Sequence, residues 1–352
     1  MRRALSPTFR ALILPAVLVT LAAGMAIPAA SAAPIKVVTT LPAYASIASA
    51  VGGDKVQAAS ISGGSEDAHF VKPKPSYALM LKDADVFVTT GLDLELWAPV
   101  LVDKSGNPRI REGQPGYVNA SQGVPLLEIP TNPSRAAGDI HIYGNPHIHT
   151  SPLNAKIIAG NIAAGLKRVD PANAATYDSR LAAFRQRLDT AVYGDQLPKI
   201  LGAATLDNLA RQGKLIPFLQ TKDYQGKKLI TLLGGWLGKG MVFRGGKMVT
   251  YHKNWVYFTA LFGLNVVDDV EPKPGIPPSA KHVHELIEEM QAQKVPVVMA
   301  PDYYDPGQVQ AIAQRTGAKA VIVPLGPSGA GPDSYFNLID NWVNQLAKAY
   351  AA

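Results

Sequence analysis

The chain contains no cysteine. That excludes disulfides, thiolate metal sites, a cysteine nucleophile and a lipidated N-terminal cysteine. Any metal must be held by His, Asp, Glu or water. Charge is sparse as well: 17% of the 352 residues are charged and 47% are hydrophobic, a globular rather than a disordered composition. No basic run with interleaved aromatics occurs, so nucleic acid is not an expected partner. There is no HExxH and no GxSxG, the common signatures of zinc proteases and serine hydrolases. After the N-terminal stretch, no segment is long and apolar enough to span a membrane.

The first residues read as an export signal. Arg2, Arg3 and Arg10 form a basic start, Ala11 to Ile27 is uncharged and apolar, and Ala30-Ser31-Ala32 supplies small residues at a cleavage site. Pro15 and Gly24 interrupt the apolar run, which is shorter than the ~20 residues of a spanning helix. The expected product starts at Ala33, exported to the periplasm, with its signal cleaved and without a lipid anchor. The formal charge is +7. The leading 32 residues hold three arginines and no acids, which leaves +4 for the remainder.

The remainder alternates strands with helices, the pattern of parallel βαβ units. Lys36 to Thr40, Val56 to Ile61 and Asp85 to Thr90 read as strands, with helices over 44–51 and Ser76 to Lys82. Residues 103–146 read as loops with one short strand near Val124 to Ile129. A helix is expected over 153–168, and a longer one over Ala174 to Tyr193, where Leu181, Phe184 and Leu188 recur at helical spacing. The alternation then resumes from Lys247 to a closing helix at Tyr335 to Ala347. The fold class expected is α/β, with two βαβ-type lobes of parallel sheets flanked by helices, joined by one long helix, and a site in the cleft between them. The expected boundaries are 1–32 for the signal, 33–170 for the first lobe, 171–197 for the linking helix and 198–352 for the second lobe. Residues 198–246 fit this pattern least well.

Seven histidines occur, at 69, 141, 147, 149, 252, 282 and 284. Three of them flank expected elements. His69 follows a strand in Ser65-Glu66-Asp67-Ala68-His69-Phe70, His147 precedes a helix in Asn145-Pro146-His147, and His252 joins a strand to a helix. Strand ends and helix starts are where open α/β sheets place ligand groups. Imidazole nitrogen and carboxylate oxygen suit zinc, which takes four ligands in a tetrahedron. Asp333, opening the last helix, is a candidate carboxylate, and Asp302 competes with it. A lone loop histidine is more often hydrogen-bonded than a ligand, and Asp333 could serve only as a helix cap. His282 and His284 read as structural.

At these residues the chain resembles the zinc and manganese solute-binding proteins of bacterial ABC transporters, solute-binding protein family 9. The resemblance covers nearly the whole chain after residue 32. Val37-Val38-Thr39-Thr40-Leu41-Pro42 resembles the opening strand, and Asp67-Ala68-His69-Phe70-Val71-Lys72-Pro73-Lys74-Pro75-Ser76 a ligand loop. Gly91-Leu92-Asp93-Leu94-Glu95-Leu96-Trp97 is similar to a family signature. Asn145-Pro146-His147, Tyr251-His252 with Trp255, and Asp333-Ser334-Tyr335 resemble the remaining ligand segments. The resemblance implies metal ligands His69, His147, His252 and Asp333, with zinc as bound cargo and manganese as the alternative. It implies delivery to an ABC-transporter permease, by a monomer that a metallochaperone could load. Binding would weaken as pH falls, because imidazoles must lose their protons to coordinate.

The departures are specific. Asn145 stands where the family has Asp, Ala68 where it has Pro, and Lys72 and Lys74 bring positive charge into the first ligand loop. Of the His-rich loop of some zinc members, only His141 and His149 remain. Residues 198–246 exceed the usual connection. Two other readings stand beside this one: a zinc-dependent hydrolase, which would keep an open coordination position, and a two-lobed binder of an organic solute. The reading adopted is a metal-binding protein, not an enzyme.

Overall fold

The computed structural model describes residues 33–131, 141–273 and 275–351. The expected export signal at 1–32 lies outside the described residues.

The first lobe is built on β1 (Ile35–Thr39), β2 (Val56–Ser60), β3 (Val86–Thr89) and β4 (Tyr117–Asn119). They form one parallel sheet in the order β2-β1-β3-β4. β1 and β3 are the central strands, and their β-branched residues Val37, Val38, Val86 and Val88 are buried. Helices α1 (Pro42–Gly52), α2 (Pro75–Lys82), α3 (Ala98–Ser105) and α4 (Pro152–Val169) flank it. Each begins with Pro in its first turn, where the missing N–H costs nothing. The fourth strand is Tyr117–Asn119, paired to β3, and not Val124 to Ile129, which runs as a loop.

Helix α5 (Ala174–Tyr193) leads from the first lobe to the second. It is polar overall but buries Tyr177, Phe184, Leu188 and Val192 on one face. Phe184 meets Phe336 edge to face at 5.6 Å, so the linker is packed against the closing helix rather than free in solvent. Burying a ring or a leucine of this kind contributes ~1.5–3 kcal/mol each.

The second lobe mirrors the first. β7 (Lys247–Thr250), β8 (Asn265–Asp269), β9 (Val297–Pro301) and β10 (Lys319–Val323) form a parallel sheet ordered β10-β9-β7-β8. Helices α10 (Val256–Phe262), α11 (Ala280–Gln293), α12 (Pro306–Thr316) and α13 (Ser334–Ala351) cover it. In both sheets the order changes direction at the first strand of the lobe, and ligand loops gather at such switch points. The segment read least well by sequence holds four short helices, α6 (Leu197–Leu201), α7 (Ala203–Arg211), α8 (Leu215–Thr221) and α9 (Gly235–Gly240), with a small hairpin, β5 (Asp223–Tyr224) and β6 (Lys227–Lys228).

This extra segment is tied down by charge as well as by apolar contact. Lys156 of α4, nearly buried, bonds Asp189 of α5 and Asp207 of α7, the latter at 2.7 Å. The Tyr193 hydroxyl donates to the same Asp207 carboxylate at 2.8 Å. Arg211 donates to Asn154 Oδ1 at 3.0 Å and to the Leu153 carbonyl at 2.8 Å, gripping the first turn of α4.

The lobes also touch directly. The Gly326 N–H donates to the Gly64 carbonyl at 2.9 Å, and Ser65 Oγ donates to Asp302 at 2.7 Å. Gly64 lies so close to the opposite lobe that a Cβ there would sit 2.5 Å from the Pro327 carbonyl oxygen. Ser46 of α1 donates to the Gly331 carbonyl at 2.6 Å and accepts from the Tyr335 N–H at 3.0 Å. Among the described residues no helix is long and apolar enough to cross a membrane.

Candidate metal centre

Four imidazoles converge where the lobes meet: His69, His141, His147 and His252. One nitrogen from each lies within 4.8 Å of the same atom in every other. Their six ring-to-ring distances fall between 5.2 and 5.8 Å. Four points that are nearly equidistant in pairs define a tetrahedron. His69 Nε2 and His147 Nε2 are 3.3 Å apart. Two nitrogens bound at ~2.0–2.1 Å to one tetrahedral zinc would be about 3.3 Å apart.

Each ring is held by its own loop. For His69, the Asp67 carboxylate accepts from the His69 N–H at 2.9 Å, and the Trp97 indole N–H grips the Ala68 carbonyl at 2.7 Å. Trp97 closes the Gly91–Trp97 signature, and Glu95 within it is buried and accepts from Thr40, Thr89 and Thr90. Burial pushes that carboxyl above its usual pKa. The signature therefore fastens the first ligand loop to the ends of β1 and β3. Lys72 and Lys74 both face solvent.

For His147, the Asn145 amide nitrogen donates to Glu128 and to the Lys253 carbonyl, at 3.1 and 2.9 Å. Its oxygen is thereby left to accept from the His147 N–H and from Nδ1, both at 3.0 Å. His147 thus carries its proton on Nδ1 and turns the Nε2 lone pair toward the other rings. An amide does here what a carboxylate would do in the family pattern. Asn154 bonds the Ile148 carbonyl at 3.2 Å, so the Arg211 contact to Asn154 bears on this loop too.

His252 follows β7, with Glu271 Oε2 2.9 Å from its Nδ1. Its Nε2 is buried and has no hydrogen-bond partner among the described residues, and the same holds for His141 Nε2. Buried imidazole nitrogens without partners are costly unless a ligand completes them. His141 comes back toward His147 through a turn at Gly144, whose φ of +112° and crowding by Leu126, Leu127 and Ile129 suit glycine alone.

Burial dominates the electrostatics. It pushes His69 and His147 well below the ordinary imidazole pKa, and neighbouring imidazoles add to the effect. It takes His141 down to about 3, with His252 and Lys253 contributing, and His149 down to about 4. His69, His141 and His147 are thereby held neutral at neutral pH, the form that binds metal. His149 is not in the cluster; it packs beside His147 on a small cavity of about 20 Å3 that Gly64 and Gly326 also line.

Three of the four residues expected from sequence, His69, His147 and His252, are brought together; Asp333 is not. It opens α13 on the solvent side, is 63% exposed, and pairs with Arg187 of α5. Asp302 accepts from Ser65 and is also outside the cluster. His141 occupies the fourth corner. The spacing His141-x5-His147 around Gly144 was the available signal.

Comparison with known proteins agrees with this architecture. The sequence model of the family described as ZnuA, zinc-uptake complex component A periplasmic, matches residues 37–193 and 239–349. The gap between those spans holds α6, α7, α8 and the small hairpin, and ends within α9. The iron-binding protein YfeA of Yersinia pestis is 27% identical, over 92% of this chain and 88% of its own length. The manganese ABC transporter substrate-binding lipoprotein PsaA of Streptococcus mitis is 23% identical, over 92% and 91%. A crystal structure of ZnuA superposes with a TM-score of 0.64 at 22% identity, covering 90% of this chain and 99% of that one. A manganese complex of FpvC from Pseudomonas aeruginosa gives 0.64 at 21% identity, covering 90% and 98%. These structural likenesses establish the fold.

Proposed function

We propose that this chain, which belongs to the ZnuA family of periplasmic zinc-uptake components, captures a divalent cation, zinc by preference, on His69, His141, His147 and His252, and yields it to the permease of a metal ABC transporter. The carrying observation is the convergence of four imidazoles, from the His69 loop, the His141–His147 loop and the end of β7, on one point. A set of four nitrogens favours zinc over manganese, which takes more oxygen. The relatives include proteins named for iron and for manganese, so the cargo is tested directly. We read the protein as a carrier exported to the periplasm, not a hydrolase: four protein ligands leave a tetrahedral zinc no open position for substrate.

The ligands divide unequally between the lobes. His69, His141 and His147 belong to the first, and His252 to the second. Parting the lobes removes His252 and its Glu271 neighbour together, which lowers affinity at the moment of delivery. The test is metal content of untagged protein purified from cells and of its His252→Ala variant. One zinc per chain, lost in the variant, is the expected result. Absence of any stoichiometric divalent metal from the wild type sinks the reading. A crosslink between the lobes should preserve metal binding and abolish transfer to the permease.

A further inference from the structure

Asn254 lies two residues beyond His252, in the short turn Lys253–Trp255 that joins β7 to α10. Its side chain is 1% exposed. The amide nitrogen lies 3.2 Å from His147 Nε2 and 3.5 Å from the Tyr303 hydroxyl. The amide oxygen is buried and has no hydrogen-bond partner among the described residues. His147 Nε2 is the lone pair that Asn145 turns toward the other imidazoles. The carboxamide of Asn254 therefore donates to the very atom a cation would claim, and holds its own oxygen unsatisfied.

A carboxamide has two ends of nearly the same size, and half a turn about its last bond exchanges them. With the nitrogen toward His147, a donor meets a lone pair. With the oxygen toward His147, two lone pairs meet and repel, unless a cation lies between them. Two ligand atoms bound at ~2.1 Å to one cation and subtending about 100° are ~3.2 Å apart. That is the separation already present between Asn254 and His147.

We propose that Asn254 is a further, oxygen-donating partner of the bound cation, its amide turning from His147 to the metal when the site is loaded. This inference rests on the four-histidine reading above. It makes the loaded site five-coordinate, with four nitrogens and one neutral oxygen. Its ligand class is the divalent ions that accept five or more mixed N and O ligands, such as manganese, iron(II), cobalt(II) and nickel. Zinc gains less, because four nitrogens already satisfy it. Asn254 thus broadens a zinc-type site.

Cobalt(II) chloride titrated into the metal-free protein provides the test, read by visible absorption. Four-coordinate cobalt absorbs more strongly than five-coordinate cobalt. Asn254→Ala should intensify the bands. It should also shift the zinc-to-manganese affinity ratio ~10-fold toward zinc in competition titrations, within the range that loss of a supporting metal contact costs. Asn254→Asp, which keeps an oxygen and adds charge, should not intensify the bands and should move the ratio the other way. If Asn254→Ala does not fold, Asn254→Leu fills the same volume without a donor atom and carries the same comparison. Identical cobalt spectra in the wild type and the oxygen-free variant overturn the role of Asn254. Failure of the wild type to bind cobalt or zinc at all overturns the four-histidine reading itself.

Discussion

Glu271 Oε2 stands 2.9 Å from Nδ1 of His252, and both side chains are buried, at 7% and 2% exposed. The carboxylate also accepts from the Tyr304 hydroxyl at 3.2 Å. Its negative charge beside the ring offsets part of the +2 charge of the cargo. Glu271→Gln keeps the shape and removes the charge. Metal affinity should fall ~10–100-fold, measured by competition with a chromophoric chelator, while the thermal transition of the metal-free protein stays sharp. Unchanged affinity would remove Glu271 from the site.

His141→Ala and Asp333→Ala discriminate between the two fourth corners. We expect His141→Ala to weaken zinc binding by more than the ~100-fold upper range for an outer-shell partner, because a direct ligand is lost. Asp333→Ala should bind zinc as the wild type does, since Asp333 faces solvent and pairs with Arg187. That exposed pair is worth at most ~1 kcal/mol. The reverse pattern in calorimetric titrations would return Asp333 to the site.

The pH dependence follows from burial. His69, His141, His147 and His149 all titrate below the ordinary imidazole value in the folded chain, His141 at about 3 and His149 at about 4. Unfolded, each titrates near 6.5. Below ~6.5 the unfolded chain takes up protons that the native chain refuses, so unfolding grows more favourable as pH falls. The stability from these groups is complete above ~6.5 and is lost progressively toward their folded values. Each group contributes ~1.4 kcal/mol per pH unit in that window. In a chelator, the melting temperature should drop steeply from pH 7 to pH 5. Proton competition at His69, His141 and His147 should be small between pH 7 and 6, because burial already keeps those three deprotonated. A melting temperature independent of pH across that window would contradict the burial of the cluster.

Lys156 bonds both Asp189 and Asp207 where α4, α5 and the extra segment meet, with Arg185 near the first and Arg211 near the second. Lys156→Met removes the ammonium bonded to both partly buried carboxylates and leaves only the neighbouring arginines, a loss of about 1–3 kcal/mol, measurable by urea denaturation. Arg211→Ala removes the hold on Leu153 and Asn154 and loosens the His147 loop. It should weaken zinc binding several-fold and speed amide hydrogen exchange over residues 147–154. Equal exchange in variant and wild type would confine Arg211 to supporting the extra segment.

Much of this was legible beforehand. Helix α5 follows from the spacing of Leu181, Phe184 and Leu188, and both parallel sheets from β-branched runs between helical stretches. The His69, His147 and His252 loops were legible because each sits at an element's edge in a recognisable motif. Asp333 fitted its motif equally well; its direction is set by Arg187, 146 residues away, which no local pattern reveals. His141 lies in a segment that forms neither helix nor strand, and only the return through Gly144 brings it in. Helix α3 begins Ala98-Pro99-Val100 and carries β-branched residues, which mask a helix in sequence. The strand expected near Val124 was a competing apolar run; Tyr117–Asn119 won because it meets β3 in register.

The contact between Gly64 and Gly326 has a reach beyond its two hydrogen-bonding atoms. It sets how closely the lobes shut without touching a coordinating group, so it acts as a shim. A methyl at residue 64 would act as a wedge against the Pro327 carbonyl, spreading the His252 corner from the other three. Selection could therefore lengthen or shorten the cargo's residence time through backbone thickness at this seam, leaving the ligand set, and with it the choice of metal, intact.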